Sequence, residues 1–485
     1  MKNLAPVLQG LGLMTMLFSA TMLVPVATAL WYDDGTFHAY DEALLVTLAT
    51  GAALWFATRG SAQELQPRDG FLLVTLVWSV LPAFAALPLL IHIDGLSFTD
   101  AYFETISGLT TTGASVLSGL DELPPSINMW RCLLQWLGGM GIIVLAVAIL
   151  PLLGVGGSQI FKAETPGPMK DTKLTPRITE TAKGLWLVYS GISAACVVSF
   201  RLAGMSWYDA VLHAFTTMSL GGFSNHDASY GFFDSPLIEA VTIFFMLVSG
   251  INFATHFTAL RARSLGPYRR DPEAPWFLIA MVGSVLVITA YLWLTGTYSD
   301  ALTALRFAAF NVVSAGTTTG YANTDYGLWP VFAPFTMLLL CVITSSSGST
   351  GGGIKMIRTR LLAQQGMREM LKLLHPQAPA PIKLGAQVVP NQIVFAVLAF
   401  MSLYGASVTV MTMVLLASGL DFITAFTAVI ACITNTGPGL AQVGPATNYA
   451  SLTDFQTWVL ALAMLLGRLE LFTVLVLFTP AFWRK

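Results

Sequence analysis

Four short turns, each built around a glycine, recur far apart in this 485-residue chain. They read Thr110-Thr111-Thr112-Gly113-Ala114, Ser219-Leu220-Gly221-Gly222-Phe223, Thr317-Thr318-Thr319-Gly320-Tyr321 and Thr434-Asn435-Thr436-Gly437-Pro438. Glycine permits the positive φ that turns successive backbone carbonyls toward one axis. Carbonyl oxygens ringed around an axis can replace the hydration shell of a cation. The pattern therefore indicates coordination of a monovalent cation by backbone oxygens.

A second glycine-rich segment, Ser345 to Gly353, interrupts an apolar stretch. Its low helix propensity predicts a break in a membrane span, and discontinuous helices at mid-depth commonly line an ion or substrate pathway. Gly348 to Gly353 also matches the glycine spacing of a phosphate loop. That motif fails, because Ile354 separates the last glycine from Lys355 and the segment follows a span rather than a strand.

Arg468 is a charge inside the last apolar segment, with Glu470 two residues later. A charge at a helix centre costs about 2.5–3.5 kcal/mol on insertion scales, so it predicts a function. An ion pair with Glu470 is disfavoured, since residues two apart do not face each other on a straight helix. We expect Arg468 to lie midway along the last span and to bind carbonyls of the glycine-rich break.

Coupled transport would use a membrane-embedded carboxylate or imidazole, and Glu470, His213 and His256 are the candidates. His213 and Glu104 are equally compatible with packing or with the pore mouth. The sequence contains none of the HExxH, GxSxG or CxxC motifs, which argues against an enzyme. The cysteines Cys132, Cys196, Cys341 and Cys432 lie in apolar stretches, so their positions indicate neither a disulfide nor a metal site.

The elements that position these residues must be membrane helices. Hydrophobic residues make up 55% of the chain and charged residues only 10%, against about 25% charged in soluble proteins. The run after Lys2 extends to Trp31 and is too long for a signal peptide. Ten apolar segments of spanning length are predicted near 4–30, 40–58, 70–92, 128–153, 184–204, 236–260, 275–296, 329–360, 390–418 and 453–483.

Each turn follows an amphipathic stretch of about a dozen residues, too short to cross a bilayer and so predicted to be re-entrant. These pore helices are predicted at Ser97–Leu109, Ser206–Met218, Ser299–Val313 and Asp421–Ile433. The unit of span, pore helix, turn and span therefore occurs four times. Pore helices whose partially negative C-terminal ends point inward would favour a cation.

The basic residues predict the orientation. With a cytoplasmic N-terminus, 20 of the 24 Lys and Arg residues fall on the cytoplasmic side, and the C-terminus is cytoplasmic as well. Most acidic loop residues fall on the outer side, where they would concentrate cations at the pore mouth.

The turns and the SSSGSTGGGIK segment resemble those of the Trk/Ktr/HKT superfamily of potassium transporters, and within it the bacterial TrkH subunits. The resemblance implies an all-α polytopic membrane protein with two N-terminal helices and four membrane–pore–membrane repeats, whose re-entrant filter turns surround one pseudo-fourfold pore. It implies K⁺ as the permeant ion, no covalently bound cofactor, a homodimer in the lipid bilayer, and a cytosolic nucleotide-binding regulatory ring of the TrkA type. Nothing indicates nucleic acid as a partner.

The same resemblance assigns roles to individual positions. The filter contacts are expected at Thr111, Thr112, Leu220, Gly221, Thr318, Thr319, Asn435 and Thr436, with filter glycines at Gly113, Gly222, Gly320 and Gly437. The glycine-rich break becomes an intramembrane gate, with Gly348, Gly351, Gly352, Gly353 and Arg468. The second turn is the least typical, and no turn reproduces the TVGYG of K⁺ channels, so some Na⁺ permeation is expected. Glycine at the first turn favours K⁺, since Na⁺-preferring relatives carry serine there.

The expected function is potassium uptake across the bacterial cytoplasmic membrane through a gated, channel-like pore. The alternative is secondary K⁺ transport coupled to H⁺ or Na⁺. The expected division of the chain is two N-terminal helices at 1–69, pore repeat 1 at 70–153, a cytoplasmic linker at 154–183, repeat 2 at 184–262, repeat 3 with a broken second helix at 263–360, a second cytoplasmic linker at 361–389 and repeat 4 at 390–485.

Overall fold

The computed structural model describes residues 4–59, 66–141, 178–377, 379–385 and 387–484. Nearly all of these residues lie in helices or the turns between them, which confirms the all-α prediction. Within these ranges the β-structure is a single antiparallel pair of two-residue strands, Lys383–Leu384 and Gln387–Val388. Most of the predicted linker 154–183 lies outside the described residues, and its last six residues already belong to the helix Ile178–Ala203.

Two N-terminal helices pack against each other before the repeats begin. The first runs through Ala5–Ser19, a 3₁₀ turn and Leu23–Tyr32, and the second is Phe37–Thr58. They approach closely where Gly12 faces Gly51, since a Cβ on either glycine would lie 2.8 Å from the carbonyl oxygen of the other. Small residues at such crossings let membrane helices pack backbone to backbone.

The pore helices lie where the sequence predicted them, at Phe98–Leu109, Trp207–Met218, Ala301–Gly316 and Phe422–Ile433. Each begins at a side-chain cap, because the oxygen of Ser97, Ser206, Asp300 or Asp421 accepts a hydrogen bond from the backbone N–H three residues later. The third pore helix extends to Gly316, three residues beyond its predicted end at Val313.

The first helix of each repeat is long and apolar. These helices are Arg68–His92, Ile178–Ala203, Ala274–Leu294 and Asn391–Ala417. Together with Ala5–Tyr32 they give five helices of spanning length and hydropathy in the described part of the chain, or seven if two bent pairs count as spans. The ten predicted segments thus correspond to fewer continuous helices, chiefly because the second helices of the repeats are broken.

The second helix is interrupted in repeats 2, 3 and 4. In repeat 2, Pro236–Ser249 and Phe253–Ala262 meet at 93°, and in repeat 4, Asp454–Arg468 and Phe472–Phe478 meet at 109°. In repeat 3, Phe332–Ile343 and Met356–Leu374 flank the glycine-rich segment. In repeat 1 the helix Pro125–Gly139 is described only as far as Gly141, so the rest of the predicted segment 128–153 lies outside the described residues.

The predicted break in repeat 3 is present, but the prediction that Arg468 lies midway along the last span is wrong. Arg468 is the final residue of its helix, and Glu470 and Leu471 follow with φ of 54° and 45°. Consecutive residues in the left-handed region cannot continue a right-handed helix. The remaining described elements are short: the helices Gly266–Arg270, Phe472–Leu475 and Pro480–Trp483, and the 3₁₀ turns Ser229–Phe232, Tyr326–Leu328, Ala441–Val443 and Val476–Phe478.

Candidate ion pathway

All four glycine turns end their pore helices in the same way. In the first, Thr111 N donates to Gly108 O at 3.0 Å and Thr112 N donates to Ser107 O at 2.8 Å. This pair of bonds is the Schellman motif, in which a left-handed residue after the helix lets two N–H groups reach back to the last free carbonyls. The same two bonds, with the same residue spacing, close the turns at Gly221, Thr319 and Thr436.

The left-handed residue of this motif is usually glycine, and here it never is. Thr111, Leu220, Thr318 and Asn435 have φ of 55°, 54°, 62° and 54°. A left-handed conformation costs a non-glycine residue about 1–2 kcal/mol. This geometry could not be predicted from the residue types, because only asparagine among them is enriched in the left-handed region. Strain repeated at four equivalent places is typical of a functional site.

The predicted filter glycines, two residues further along each turn, have the positive φ that their role requires, between 79° and 94°. Their neighbours define a ring. A Cβ on Gly113 would lie 2.1 Å from Gly221 O, one on Gly222 1.9 Å from Thr319 O, one on Gly320 2.0 Å from Thr436 O, and one on Gly437 2.7 Å from Thr112 O. Each turn thus abuts the next through a backbone carbonyl, and the fourth closes on the first.

On the side of the ring that the sequence predicts to face outward lies a cavity of about 660 Å³, called the outer cavity, and its lining includes all four predicted filter glycines. Its wall also carries Arg131, which donates to Glu104 at 2.8 Å while both side chains are buried. Glu104 Oε2 in turn accepts a hydrogen bond from Val116 N at 3.0 Å, so the carboxylate braces the chain leaving the first turn. Glu104 therefore has a structural role in the wall of this cavity. The sequence had left both packing and a place at the pore mouth open for this residue.

His226 in the same cavity bridges two acidic residues, Asp121 and Asp209. Burial alone would lower the pKa of His226, but hydrogen bonds to these carboxylates outweigh it and raise the pKa above the usual value. The predicted coupling candidate His213 lies behind this group, where its ring bonds Asp209 O at 2.9 Å and Ser224 Oγ at 3.0 Å. Both histidines thus take part in hydrogen bonds that join the outer loops.

The glycine-rich segment of repeat 3 lies directly beneath the ring. Thr350 Oγ1 donates to Met218 O at 2.9 Å, and Gly352 N donates to Thr318 Oγ1 at 2.8 Å. A Cβ on Gly352 would lie 1.9 Å from Thr434 O. The segment therefore contacts the C-terminal ends of the second, third and fourth pore helices. An inner cavity of about 150 Å³ is lined by this segment together with Lys355, Arg468 and Glu470.

The breaks in the second helices of repeats 2 and 3 support each other. Ser346 N donates to Gly250 O at 3.2 Å, and Phe253 N donates to Gly348 O at 3.0 Å. Backbone groups freed by breaking one helix are thus paired with those freed by breaking the other, which irregular backbone at membrane depth requires. Only the glycine-rich break was predicted from the sequence, because the single glycine at position 250 does not by itself indicate that a helix ends.

Arg468 connects the glycine-rich segment of repeat 3, called the gate segment after its predicted role, to the predicted filter. Its guanidinium donates to Thr350 O at 3.1 Å, to Gly139 O at 3.1 Å and to Gly138 O, and it reaches Thr111 Oγ1 at 3.3 Å. The predicted contact with carbonyls of the break is thus present at Thr350. The contacts with repeat 1 were not predicted, because they depend on how the helix Pro125–Gly139 ends.

Glu470 does not pair with Arg468 but with Arg358, at the start of the helix that follows the gate segment. This agrees with the prediction that an ion pair between Arg468 and Glu470 is disfavoured. A second physical reason is that the helix ends at Arg468, before Glu470. The remaining coupling candidate, His256, bonds Tyr268 Oη at 2.8 Å and Val248 O at 2.9 Å.

Glu273, which sequence reasoning missed, holds both ends of the gate segment. One oxygen, Oε1, accepts hydrogen bonds from Ser347 N at 3.0 Å and from Ile357 N at 2.9 Å. The residue immediately precedes the span Ala274–Leu294 and is almost fully buried. Burial raises its pKa to about 7, although the two N–H donors act in the opposite direction.

Comparison with known proteins gives a consistent result over the whole chain. A family model described as TrkH, cation transport protein, matches residues 39–485. The chain is 48% identical over 484 residues to the Trk system potassium uptake protein TrkH of Halomonas elongata, with 100% of each covered. It is 48% identical over 475 residues to the protein of the same name in Escherichia coli K12, with 98% of each covered. It also resembles the crystal structure of the potassium transporter TrkH from Vibrio parahaemolyticus, with a TM-score of 0.90, 44% identity and 100% of both chains covered.

Proposed function

Because this chain belongs to the TrkH family of cation transport proteins, we propose that it takes up potassium through a gated, channel-like pore in the bacterial cytoplasmic membrane. The relatives are named as potassium uptake proteins, so the expected function is transport and not an enzymatic reaction. K⁺ is accordingly the permeant ion.

The observation that carries the proposal is the closed ring of turns between two cavities. Four carbonyl oxygens, from Thr112, Gly221, Thr319 and Thr436, each abut the glycine of a neighbouring turn. Carbonyl dipoles fixed around one axis can substitute for the water around an ion. We assign the filter to these residues together with Thr111, Leu220, Thr318 and Asn435, whose strained conformations hold the ring carbonyls in place.

The gate is assigned to the segment containing Gly348, Gly351, Gly352 and Gly353, with Arg468. Its position under the ring supports this role, as does the contrast between a 660 Å³ outer cavity and a 150 Å³ inner one. Arg468 contributes by tethering Thr350 and by placing a positive charge in the path of a cation leaving the filter.

The alternative, K⁺ transport coupled to H⁺ or Na⁺, needs a group that exchanges a proton or an ion during each cycle. Glu470, His213 and His256 each have hydrogen-bond or ion-pair partners that tie them to neighbouring elements. A steady conductance through the purified protein at zero proton and Na⁺ gradients would favour the pore, and strict dependence of K⁺ flux on either gradient would favour the carrier.

We further propose that the protein works as a homodimer with a cytosolic nucleotide-binding ring of the TrkA type, and that both termini are cytoplasmic. The relatives are named as parts of a Trk system, which supports a multi-component assembly. The cytoplasmic placement of the termini follows the distribution of Lys and Arg along the chain.

The substitution Gly113→Ser tests the filter assignment. A serine side chain at φ of 83° is strained, and its Cβ would lie 2.1 Å from Gly221 O, so the ring must distort. We expect Na⁺ permeability relative to K⁺ to rise about tenfold, because a displaced carbonyl no longer fits the larger ion. The permeability ratio is measured from reversal potentials in bilayers. An unchanged ratio in a well-folded variant would show that this turn does not select the ion.

A further inference from the structure

The second filter turn is supported differently from the other three. In the first, third and fourth turns, the threonine before the filter glycine forms a hydroxyl–hydroxyl hydrogen bond with the threonine two residues earlier. The pairs are Thr110–Thr112 at 2.7 Å, Thr317–Thr319 at 2.7 Å and Thr434–Thr436 at 2.8 Å. The second turn has Ser219 and Gly221 at these places, so the threonine side chain is missing there.

Gln135 fills that space. It comes from the second helix of repeat 1, and its side chain is completely buried. Its Nε2 donates to Gly221 O at 2.7 Å, and its Oε1 accepts from Phe223 N at 3.0 Å. A Cβ on Gly221 would lie 2.4 Å from Gln135 Cδ, so Gln135 and any side chain at position 221 exclude each other.

Repeats 3 and 4 do not place an amide at this position. Gly138 and Gly467 match each other, because a Cβ on either would lie 1.9 or 2.0 Å from the last carbonyl of its own pore helix. The residue three positions before Gly467 is Met464, which therefore corresponds to Gln135. In repeat 3, Cys341 faces the next turn, and its Sγ accepts a hydrogen bond from Thr434 Oγ1 at 3.6 Å.

We propose that Gln135 and Gly221 form a matched pair that determines ion selectivity at the second turn. The inference rests on the proposed filter, since Gly221 O is one of the four ring carbonyls. A buried amide that donates to this oxygen fixes its direction and draws on its electron density. The bond to Phe223 N holds the strand that follows the ring. With both bonds in place the ring resists contraction around a smaller ion such as Na⁺.

Gln135 thus does for the second turn what a threonine hydroxyl does for the others, but from a neighbouring repeat. Three of the four ring carbonyls belong to residues whose own side chains brace the turn, and the fourth is braced from outside. The pseudo-fourfold ring is therefore chemically asymmetric, and the atypical residues of the second turn are compensated by one glutamine.

Three variants test the pairing: Gln135→Cys, Gly221→Thr and the double substitution, which reproduces the cysteine–threonine combination of Cys341 and Thr436. The protein is reconstituted in vesicles, and the readouts are ⁸⁶Rb⁺ uptake and the relative Na⁺ permeability. Gln135→Cys should raise relative Na⁺ permeability about threefold with flux retained, because one ring carbonyl loses its donor. Gly221→Thr should lose most flux, because its side chain collides with Gln135. The double variant should recover flux and selectivity, as coupled neighbours do in a double-mutant cycle.

The matched control is Gln365→Cys, a substitution of the same type in the cytoplasmic helix Met356–Leu374, which should leave the permeability ratio unchanged. A double variant no better than Gly221→Thr alone would overturn the pairing. If Gln135→Cys does not fold, Gln135→Met replaces it, since methionine has a similar length, occurs as Met464 at the corresponding position of repeat 4, and has no donor for Gly221 O. An unaltered ratio in that variant would likewise overturn the proposal.

The filter itself is tested separately. If Gly113→Ser changes the permeability ratio while the Gln135 variants do not, the filter assignment stands and the pairing is wrong. If neither changes the ratio, the ring is not the selective element and the proposed function fails at that point.

Discussion

The filter turns and the gate segment are both glycine-rich, irregular and buried, yet they are held in opposite ways. Each turn is closed by its own backbone, through the same two hydrogen bonds back to its own pore helix. The gate segment occurs once and is held from outside by Glu273, Arg468 and the broken helix of repeat 2. A closure made by backbone hydrogen bonds within one turn can recur in all four repeats. A segment that is held by a few side chains from other elements loses its support when one of those side chains is substituted.

The two regions also differ in the hydrogen-bond partners of their buried polar groups. Most threonine hydroxyls of the turns are paired with each other or with pore-helix carbonyls, and those of Thr111 and Thr318 accept from Arg468 and Gly352. One buried turn group, the amide oxygen of Asn435, has no hydrogen-bond partner in the part of the chain that the structure describes. In the gate segment, the buried hydroxyls of Ser346 and Ser347 have no hydrogen-bond partner among the described residues. An unpaired buried polar group costs about 1–3 kcal/mol. Two unpaired hydroxyls in this one segment, against one unpaired amide oxygen in the four turns, support the proposal that the gate segment opens more easily than the ring.

The largest effect is expected from shortening the gate segment. Deleting Ser349 and Gly351 removes chain that lies under the second and third pore helices, so the segment can no longer cover the ring. We expect Rb⁺ uptake without any partner protein to rise by at least about tenfold. The control deletes Gly296 and Thr297, which lie between the span Ala274–Leu294 and the pore helix Ala301–Gly316. If Rb⁺ uptake falls instead, the gate segment supports the structure of the filter, and the two regions cannot be changed independently.

A smaller effect is expected from Arg468→Ala. The substitution releases the tether on Thr350 and removes the positive charge below the filter, so we expect uptake to rise about threefold to tenfold. Stability should fall, because the carbonyls of Gly138 and Gly139 lose their donor in a low-dielectric site. Arg468→Lys keeps the charge with fewer donors and should lie between the two. A stable Arg468→Ala protein that conducts no faster than the wild type would make Arg468 a structural residue.

The same contrast explains what the sequence could predict. The pore-helix starts were predicted within two residues, because Ser97, Ser206, Asp300 and Asp421 are local caps. The four filter glycines were found because they repeat. The roles of Gln135 and Glu273 were missed, since a buried amide or carboxylate is identified by its distant partners. The bend after Arg468 was not predicted, because Glu470 and Leu471 are residue types that do not favour a left-handed backbone.

The smallest effect is expected at Glu273, and its sign follows from linkage. In the closed arrangement burial raises the pKa of Glu273 to about 7, against an ordinary value of 4.5. If opening the segment exposes the carboxyl to water, the closed state binds the proton more tightly than the open one. Lowering the internal pH below about 7 therefore stabilises the closed segment, and raising it through 7 weakens the closed segment. The charged groups that influence Glu273 are Asp271 of its own loop, and Lys355 and Arg360 of the chain that follows the gate.

We therefore expect wild-type uptake to increase about twofold to threefold as internal pH rises from about 6 to 8 at constant external pH. Glu273→Gln keeps an oxygen that can accept from Ser347 N and Ile357 N, but it cannot ionise. The Glu273→Gln protein should keep the low uptake rate that the wild type has at low internal pH over the whole pH range. The control Glu369→Gln lies on the exposed surface of the helix after the gate and should retain the wild-type profile. A Glu273→Gln protein whose uptake still rises with internal pH would show that the titrating group lies elsewhere. The gate segment would then be held by Glu273 only through hydrogen bonds, and the difference between the two regions would rest on geometry and not on charge.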